Sequence, residues 1–416
     1  MVELLAMNKP HALIAGAGIG GLTAALCLAR VGWRITLLER APLLMEIGAG
    51  LQLSPNASRI LKDLGVLARL EGASLKPQAI RIRRGRDAKL LALLPLDAAE
   101  QTCGAPYNLA LRSDLQRVLI ESIACVPDIR LLTGTAVAGF AATADGVTVA
   151  AKQGPMTSTF EGDCLIGADG VQSFIRQRLL ASPKSDLRLS GHEAWRALVA
   201  PEQIAPQWRD ILLQPETNLW LGPDAHVVHY PLRGGSIVNI AIIVGKAHAP
   251  RTKPDGWTNK GDPNIVKARF SKWHPIVRGL IASAPDWQTW PLADLEPLAT
   301  FSIGKIALLG DAAHPMLPFL AQGAAQAIED AAALGHALNQ TPDIEAALSA
   351  YAAARRGHTA KVQKASRQQG AIYHLGGPAA LARDLTMQAL GPRRMLMRTD
   401  WIYRGSRCIA SLQRDD

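Results

Sequence analysis

Cysteine is scarce in this sequence and never paired. Cys27, Cys103, Cys125, Cys164 and Cys408 stand alone, with no CxxC and no Cys/His cluster. That argues against a disulfide framework, a structural zinc site and a dithiol redox centre, so no metal is expected. No run of about 18 apolar residues suggests a transmembrane helix. The opening MVELLAMNKPHALIAG is too short and wrongly flanked for a signal peptide, and its apolar part reads into a first strand. Low-complexity tracts are also missing. The net charge is +10, with arginines gathered at Arg81 to Arg86 and Arg393 to Arg407. No nucleic-acid module accompanies that charge. It reads as a solvated basic face, or as a field that steers anionic substrates and phosphate-bearing cofactors. The expectation is a soluble cytoplasmic protein without nucleic-acid or membrane partners.

At 416 residues, 48% of them hydrophobic, the chain can bury a large core and is expected to form two domains. His11 to Ala15 is a compact apolar strand leading into Gly16-Ala-Gly18-Ile-Gly-Gly21, then a helix from about Gly20 to Val31. Arg34 to Leu38 is the next strand and ends at Glu39, 23 residues after Gly16. This is a βαβ unit with GxGxxG at its first turn. Gly16 permits the tight turn, Gly18 lets backbone approach a pyrophosphate, and Gly21 lets helix pack on strand. Glu39 can accept the hydroxyl hydrogens of an adenosine ribose. The motif alone does not separate FAD from NAD, because both carry the same AMP half.

Two further strand ends carry Gly and Asp. Asp163 to Ile166 leads to Asp169-Gly170 and a helix, while Ile306 to Leu309 leads to Gly310-Asp311, a Pro-rich turn and a helix from Gly323. In a doubly wound sheet ligands gather at such carboxyl ends, and a helix start offers unpaired N–H groups. The Gly-rich approach Gly48 to Leu53 reads either as an ordinary loop before a capped helix or as backbone close to a ligand, which the Gln52 amide can meet. Ser113 and Gln116 read as a capping box, with Arg112 just before the helix and able to reach a phosphate. Arg81 to Leu94 reads as a strand pair with solvated arginines.

From about Gly191 to Trp290 the chain is rich in tryptophan (Trp257 among them) and in alternating runs, as expected of an inserted antiparallel domain. Period two places His226 and Tyr230 on one face of a strand, with His229 on the other. If that face meets a ligand, His226 and Tyr230 can bind or deprotonate a phenol. Helices are expected from about Ala324 to Asn339 and Ile344 to Gln369, and again after a Gly-Pro break at 377–378 up to about Leu390.

GAGIGG with Glu39-Arg40, GADGVQSFIR and GDAAHPMLPFLAQGA, in that order, resemble the single-component FAD-dependent aromatic hydroxylases. The similarity is greatest to the salicylate hydroxylase and 3-hydroxybenzoate 6-hydroxylase branch. The resemblance implies an α/β fold: a Rossmann-like FAD-binding domain over 1–185 and 291–345, a β-rich substrate domain over 186–290, and a C-terminal helical segment over 346–416. It implies non-covalent FAD, NADH or NADPH as co-substrate, and O2. It places Gly16, Gly18 and Gly21 at the FAD pyrophosphate, and Glu39, with Arg40 beside it, at the adenosine ribose. Arg112 falls at the phosphate and ribityl region, Val137 near the adenine, and Asp311 on the ribityl chain. Asp169 carries the family's Asp-Gly motif. Backbone N–H groups of Gln322, Gly323 and Ala324 fall at the pyrimidine edge of the flavin.

Reduced flavin in this family forms a C4a-hydroperoxide that hydroxylates an electron-rich ring, and a single GxGxxG fits the absence of a second nucleotide-binding domain. His226 and Tyr230 match a histidine and a tyrosine of 3-hydroxybenzoate-type relatives, and the Pro318 carbonyl can accept a hydrogen bond from the transferring hydroxyl. Pro318 stands where that branch has glutamine, and Phe319 where nicotinate-type relatives have histidine, so a more apolar pocket is expected. A phenolic, carboxylated aromatic substrate is the favoured reading. Epoxidation, hydroxylation of a quinone precursor, and a non-catalytic flavin module are the alternatives. A homodimer through the C-terminal helices is an assembly the sequence allows.

Overall fold

A computed structural model describes residues 9–44, 49–180, 187–245 and 259–405. The boundary at 185/186, Gly48, Trp257, Arg407, Cys408 and the first eight residues lie outside the described residues.

The continuous apolar runs become the strands of one six-stranded sheet. Its order is Ser302–Ile303, Ile306–Leu308, Cys164–Gly167, His11–Ala15, Arg34–Leu38 and Ile129–Leu132. Pairing is parallel except at the short 302–306 hairpin. Strands covered on both faces need apolar residues at every position, which is why these runs do not alternate. His11–Ala15 and Cys164–Gly167 are buried almost throughout. Helix Ile19–Arg30 lies against helix Gly323–Gln340 at close range. A Cβ on Gly335 would meet Cys27 Cβ at 3.2 Å, and one on Gly20 would meet Ala327 Cβ at 3.2 Å. Small residues on both helices permit that approach.

The second large sheet has eight strands, in the order Asn259–Gly261, Trp287–Asp294, Arg188–Val199, Ile237–Val244, Ala225–Leu232, Glu216–Gly222, Ala79–Arg84 and Leu90–Pro95. Its side chains point alternately to two faces, and its central strands are buried on both. One face packs Trp195, Trp220, Val227, Ile240 and Trp287 against helices Pro263–Arg269 and Pro275–Ser283. The other face packs against strand Asn108–Leu111, against Leu317 and Phe319, and against helix Gly377–Met397. A three-stranded antiparallel sheet, 136–162, packs Val147, Val149 and Ala151 into the core of the six-stranded sheet.

Two expectations need correction. Strands Ala79–Arg84 and Leu90–Pro95 fall within 1–185 yet join the eight-stranded sheet, through parallel pairing of 79–84 with 216–221. Their arginines are not simply solvated. Arg81 is ion-paired with Glu216, Arg84 bonds Asp384 and Asp87 at 2.8 Å, and Arg83 lies over Trp220. Those partners are distant in sequence, so local alternation does not reveal them.

Helix Ile344–Tyr373 runs 30 residues, past the expected end at Gln369. Helix Gly377–Met397 bends at Gly391, where φ is +67° and Pro392 follows. Among the described residues no helix is long and apolar enough to cross a membrane.

Gly21 is where helix and turn meet most closely: a Cβ there would stand 2.0 Å from the Gly16 carbonyl oxygen. Backbone cannot rotate away as a side chain can. Gly21→Ala is therefore expected to cost roughly 1–3 kcal/mol by overpacking. The urea unfolding midpoint of FAD-free protein checks this, and an unchanged midpoint contradicts the packing.

Candidate active site

Three strand ends converge on one edge of the six-stranded sheet. After His11–Ala15, Gly16 takes φ +103° and its N–H donates to Leu38 O at 2.7 Å. A side chain at Gly16 would press into Ala168, the residue preceding Asp169. Gly18 is extended, and a Cβ there would meet nothing within 4 Å, so open space lies over the start of helix Ile19–Arg30. No side chain caps that helix, and its first N–H groups stay available to an anion. Glu39 holds the turn from outside, accepting from Ala17 N–H at 2.7 Å and Ala41 N–H at 2.8 Å. Arg40 is exposed, and Val137 is half-buried on strand Ala136–Ala142.

Arg112 is the first residue of helix Arg112–Ala124, and its N–H donates to Ala49 O at 2.9 Å. The expected capping box does not form. Arg112 is already helical, Leu111 is the cap, and the Gln116 amide turns to Ala17 O at 3.3 Å. Strand 108–111 runs straight into the helix, leaving Ser113 inside the first turn.

At the second strand end, the Asp169 carboxylate accepts from Ser173 Oγ at 2.5 Å and Ile175 N–H at 3.0 Å. Burial pushes its carboxyl pKa up, and these donors offset part of that rise. Arg176, buried in the same turn, donates to Ala312 O at 3.0 Å and Val171 O at 2.7 Å. It ties the second strand end to the third.

The third strand end is held from below. Asp330 Oδ2 accepts from Gly310 N–H at 2.9 Å and lies 2.5 Å from His314 Nε2, while Oδ1 accepts from Arg355 Nε at 2.6 Å. Arg355 also binds Glu329 at 2.7 Å. Although desolvation opposes ionisation, His314 and Arg355 hold the Asp330 carboxyl far below the usual range. Glu329 and Gln326 continue the network to Asn56, and the Gln322 amide donates to Ser54 Oγ at 2.8 Å. Gln322 is thus anchored inward, and what it presents outward is backbone. Asp311 is exposed, 3.9 Å from where a Cβ on Gly323 would stand. Helix Gly323–Gln340 starts there without a side-chain cap.

The site face of the eight-stranded sheet supplies the opposite wall. By register it carries Arg196 and Leu198, then Asn239 and Ala241, then His226, Val228 and Tyr230. His229 faces the other way, stacked on Trp220, and burial takes its pKa down to about 3. Strand Gly50–Leu53 crosses this wall: Gly50 N–H donates to Asn239 Oδ1 at 2.8 Å, and a Cβ there would strike Asn239 and the Tyr230 hydroxyl. Gln52 accepts from Tyr107 Oη at 2.6 Å.

His226 Nδ1 lies 2.8 Å from His374 Nε2, and the rings of Phe319, Tyr373 and His192 close around the pair. Burial holds His226 well below its ordinary pKa. The site histidine is therefore a neutral acceptor, less basic than a free imidazole. Phe319 presses on Gly370, where a Cβ would stand 2.6 Å from its ring. The Pro318 carbonyl accepts from Ala321 N–H at 3.0 Å and keeps a second lone pair. Sequence reading missed Tyr107, Asn239, Arg176 and His374. Two of them left a signal: Asn239 is a polar residue inside an apolar strand, and Arg176 closes the motif GADGVQSFIR.

A model of the FAD binding domain family matches residues 9–366. A 3-hydroxybenzoate 6-hydroxylase of Polaromonas naphthalenivorans (strain CJ2) is 35% identical over 94% of this chain and 95% of its own length. The chain belongs to the FAD-dependent aromatic hydroxylases. A 3-amino-4-hydroxybenzoate 2-monooxygenase of Streptomyces platensis is 35% identical, over 92% of this chain and 93% of its own. A salicylate hydroxylase solved with its substrate superposes with TM-score 0.82 at 26% identity, covering 98% of this chain and 100% of that one. Klebsiella pneumoniae HpxO, complexed with FAD and uric acid, gives 0.81 at 26% identity over 95% and 97%. This hydroxylase is thus an FAD-dependent, NAD(P)H- and O2-using monooxygenase of α/β fold with a Rossmann-type cofactor domain. The open space over Gly18, the uncapped helix starts at 19 and 323, and the exposed Asp311 carboxylate fit a flavin dinucleotide.

Removing Arg355 leaves Glu329 and Asp330 buried without their cation. Arg355→Met is expected to cost roughly 3–5 kcal/mol and to weaken FAD retention, because Gly310 loses its fixed anchor. Urea unfolding and FAD titration check both effects, and unchanged values in both contradict this role for the network.

Proposed function

We propose that this hydroxylase acts on a phenolic, carboxylated aromatic ring of the hydroxybenzoate type. The observation that carries the reading is the site-face strand, where a neutral histidine and a tyrosine stand four residues apart over Val228. Four strand residues span about 13 Å, and side chains leaning inward from both ends bracket a single benzene ring. The hydroxybenzoate and aminohydroxybenzoate relatives support the same substrate class.

In this reading Gly16, Gly18 and Gly21 admit the pyrophosphate, with Glu39 and Arg40 at the adenosine ribose and Val137 near the adenine. Arg112 and Asp311 hold the phosphate and ribityl region, and Gln52 and Asp169 brace the surrounding loops. Backbone N–H groups from Gln322 to Ala324 face the end of the ring system that gains negative charge. Bound FAD, reduced by NADH or NADPH, supplies activated oxygen. The protein's own part is to orient the ring, exclude water and hold protons. His226 accepts the phenolic proton, which makes the ring a better nucleophile. Tyr230, packed against Gly50, positions the far end of the substrate by hydrogen bonding. The Pro318 carbonyl keeps a lone pair for the hydroxyl delivered to the ring. Val228, Leu320 and Phe319 keep that space apolar, which protects activated oxygen from water.

We assign the cofactor part to 1–185 and 291–345, with strands 79–95 moved to the substrate part (186–290), and a C-terminal helical segment over 346–416. We place the enzyme in the cytoplasm, as a homodimer through the C-terminal helices, where Leu381 and Leu385 are exposed one turn apart.

The test is a panel of hydroxybenzoates with each nicotinamide. Purified protein should be yellow, and a member of the panel should accelerate NAD(P)H oxidation with matching oxygen uptake and little peroxide. His226→Ala should lower coupled turnover by about 100-fold or more while retaining FAD. A panel without any stimulating phenol would remove the substrate class, and unchanged turnover in the variant would remove His226 from the mechanism.

A further inference from the structure

His374 belongs to none of the sequence motifs. It follows helix Ile344–Tyr373, and its backbone is held on both sides: its N–H donates to Gly370 O at 3.2 Å and its carbonyl accepts from Asp224 N–H at 3.1 Å. The ring is therefore delivered to a fixed place. There its Nε2 meets His226 Nδ1 at 2.8 Å. At that distance one nitrogen carries the hydrogen and the other offers a lone pair. If Nδ1 of His226 is the donor, its Nε2 is left as the basic atom, and His374 is the acceptor with its own hydrogen on Nδ1. That Nδ1 is buried and has no hydrogen-bond partner.

We propose that His226 and His374 form a two-imidazole relay that carries the substrate's phenolic proton away from the ring to be hydroxylated. The proposal rests on the reading of a phenolic substrate with His226 as its base. The phenol O–H bond breaks as an N–H bond forms at His226 Nε2, and the hydrogen on His226 Nδ1 passes to His374 Nε2. The substrate is then a phenolate, His226 is neutral again, and His374 is the imidazolium. No other reactant is needed.

Moving the charge one ring further matters chemically. An imidazolium bonded directly to a phenolate withdraws electron density from the ring that must attack oxygen. Placed on His374, the charge sits one imidazole away, at a ring separation of 5.1 Å. His226 is 2% exposed and His374 only partly buried, but the His374 Nδ1 is itself buried, so the relay moves the charge one ring away from the substrate and not into water. Several groups face His374. The Asp224 carboxylate favours its charge, whereas Arg269 (paired with Asp224), Arg383 and the neighbouring His192 oppose it. Arg383 is in turn paired with Asp384. Tyr373 and Phe319 supply apolar walls. Burial and the neighbouring positive groups lower the His374 pKa to about 4, and an adjoining phenolate raises the proton affinity of the pair.

The experiment uses FAD-loaded enzyme and a nitro-substituted hydroxybenzoate whose phenolate absorbs in the visible. Difference spectra across pH give the midpoint at which the bound probe ionises. Two variants are compared with the unaltered enzyme: His374→Gln, which can accept the Nδ1 hydrogen bond but cannot take the proton, and His374→Phe. Binding of the probe's methyl ether, which has no phenolic proton, reports whether the pocket is intact. The expected result is a midpoint raised by about one pH unit or more in both variants, a tenfold loss of phenolate at fixed pH, with methyl-ether affinity unchanged. An unshifted midpoint in both variants, with normal ionisation in the unaltered enzyme, overturns the relay and leaves the substrate reading standing. Failure of the unaltered enzyme to bind or ionise the probe overturns the substrate reading and the relay with it.

Discussion

The Asp330 carboxylate is the group on which the site most depends, although it is fully buried and touches no open space. It fixes the Gly310 N–H, the His314 ring and the Arg355 guanidinium at once. An isolated carboxylate there would be far too costly to ionise. Paired this way it is ionised and directional. Fixing Gly310 aims Asp311 outward, and Arg176 fixes the same loop from the second strand end. The exposed chemistry of one loop is therefore set by charges that water never reaches. Such a network is weak evidence for stability. Its value here is that it admits one loop geometry.

The eight-stranded sheet meets the two-stranded sheet of 50–53 and 108–111 through an apolar cluster of Leu109, Leu111, Tyr230 and Leu232, bordered by polar contacts: Gly50 reaches Asn239, and Gln52 accepts from Tyr107. A Cβ on Gly50 would strike the Tyr230 hydroxyl, and Arg112 bonds Ala49 beside it, so the position of Tyr230 is coupled to the start of helix Arg112–Ala124.

Much of this was legible from residues. Glycine spacing and an acid after the second strand announce the first turn, because sterics leave few sequences for it. Period two assigned His226 and Tyr230 to one face of their strand. What stayed hidden was non-local. Arg81 and Arg84 read as solvated because Glu216 and Asp384 arrive from elsewhere in the chain. Ser113 reads as a cap until strand 108–111 is seen running directly into its helix. His374 ends a helix with no motif around it, and only the fold brings its ring against His226. Tyr107 was silent for the same reason.

Gly370 leaves the far end of helix Ile344–Tyr373 without a side chain where Phe319 needs room. On this side the Phe319 ring therefore rests on the backbone of a distant helix, while His192, His226 and His374 meet it elsewhere. Pocket width at this corner is set like the stop behind a drawer. A methyl group at 370 would drive Phe319 forward toward His226, narrowing the chamber without altering any residue that lines it. Position 370 is thus a gauge of ring size that a survey of lining residues would overlook.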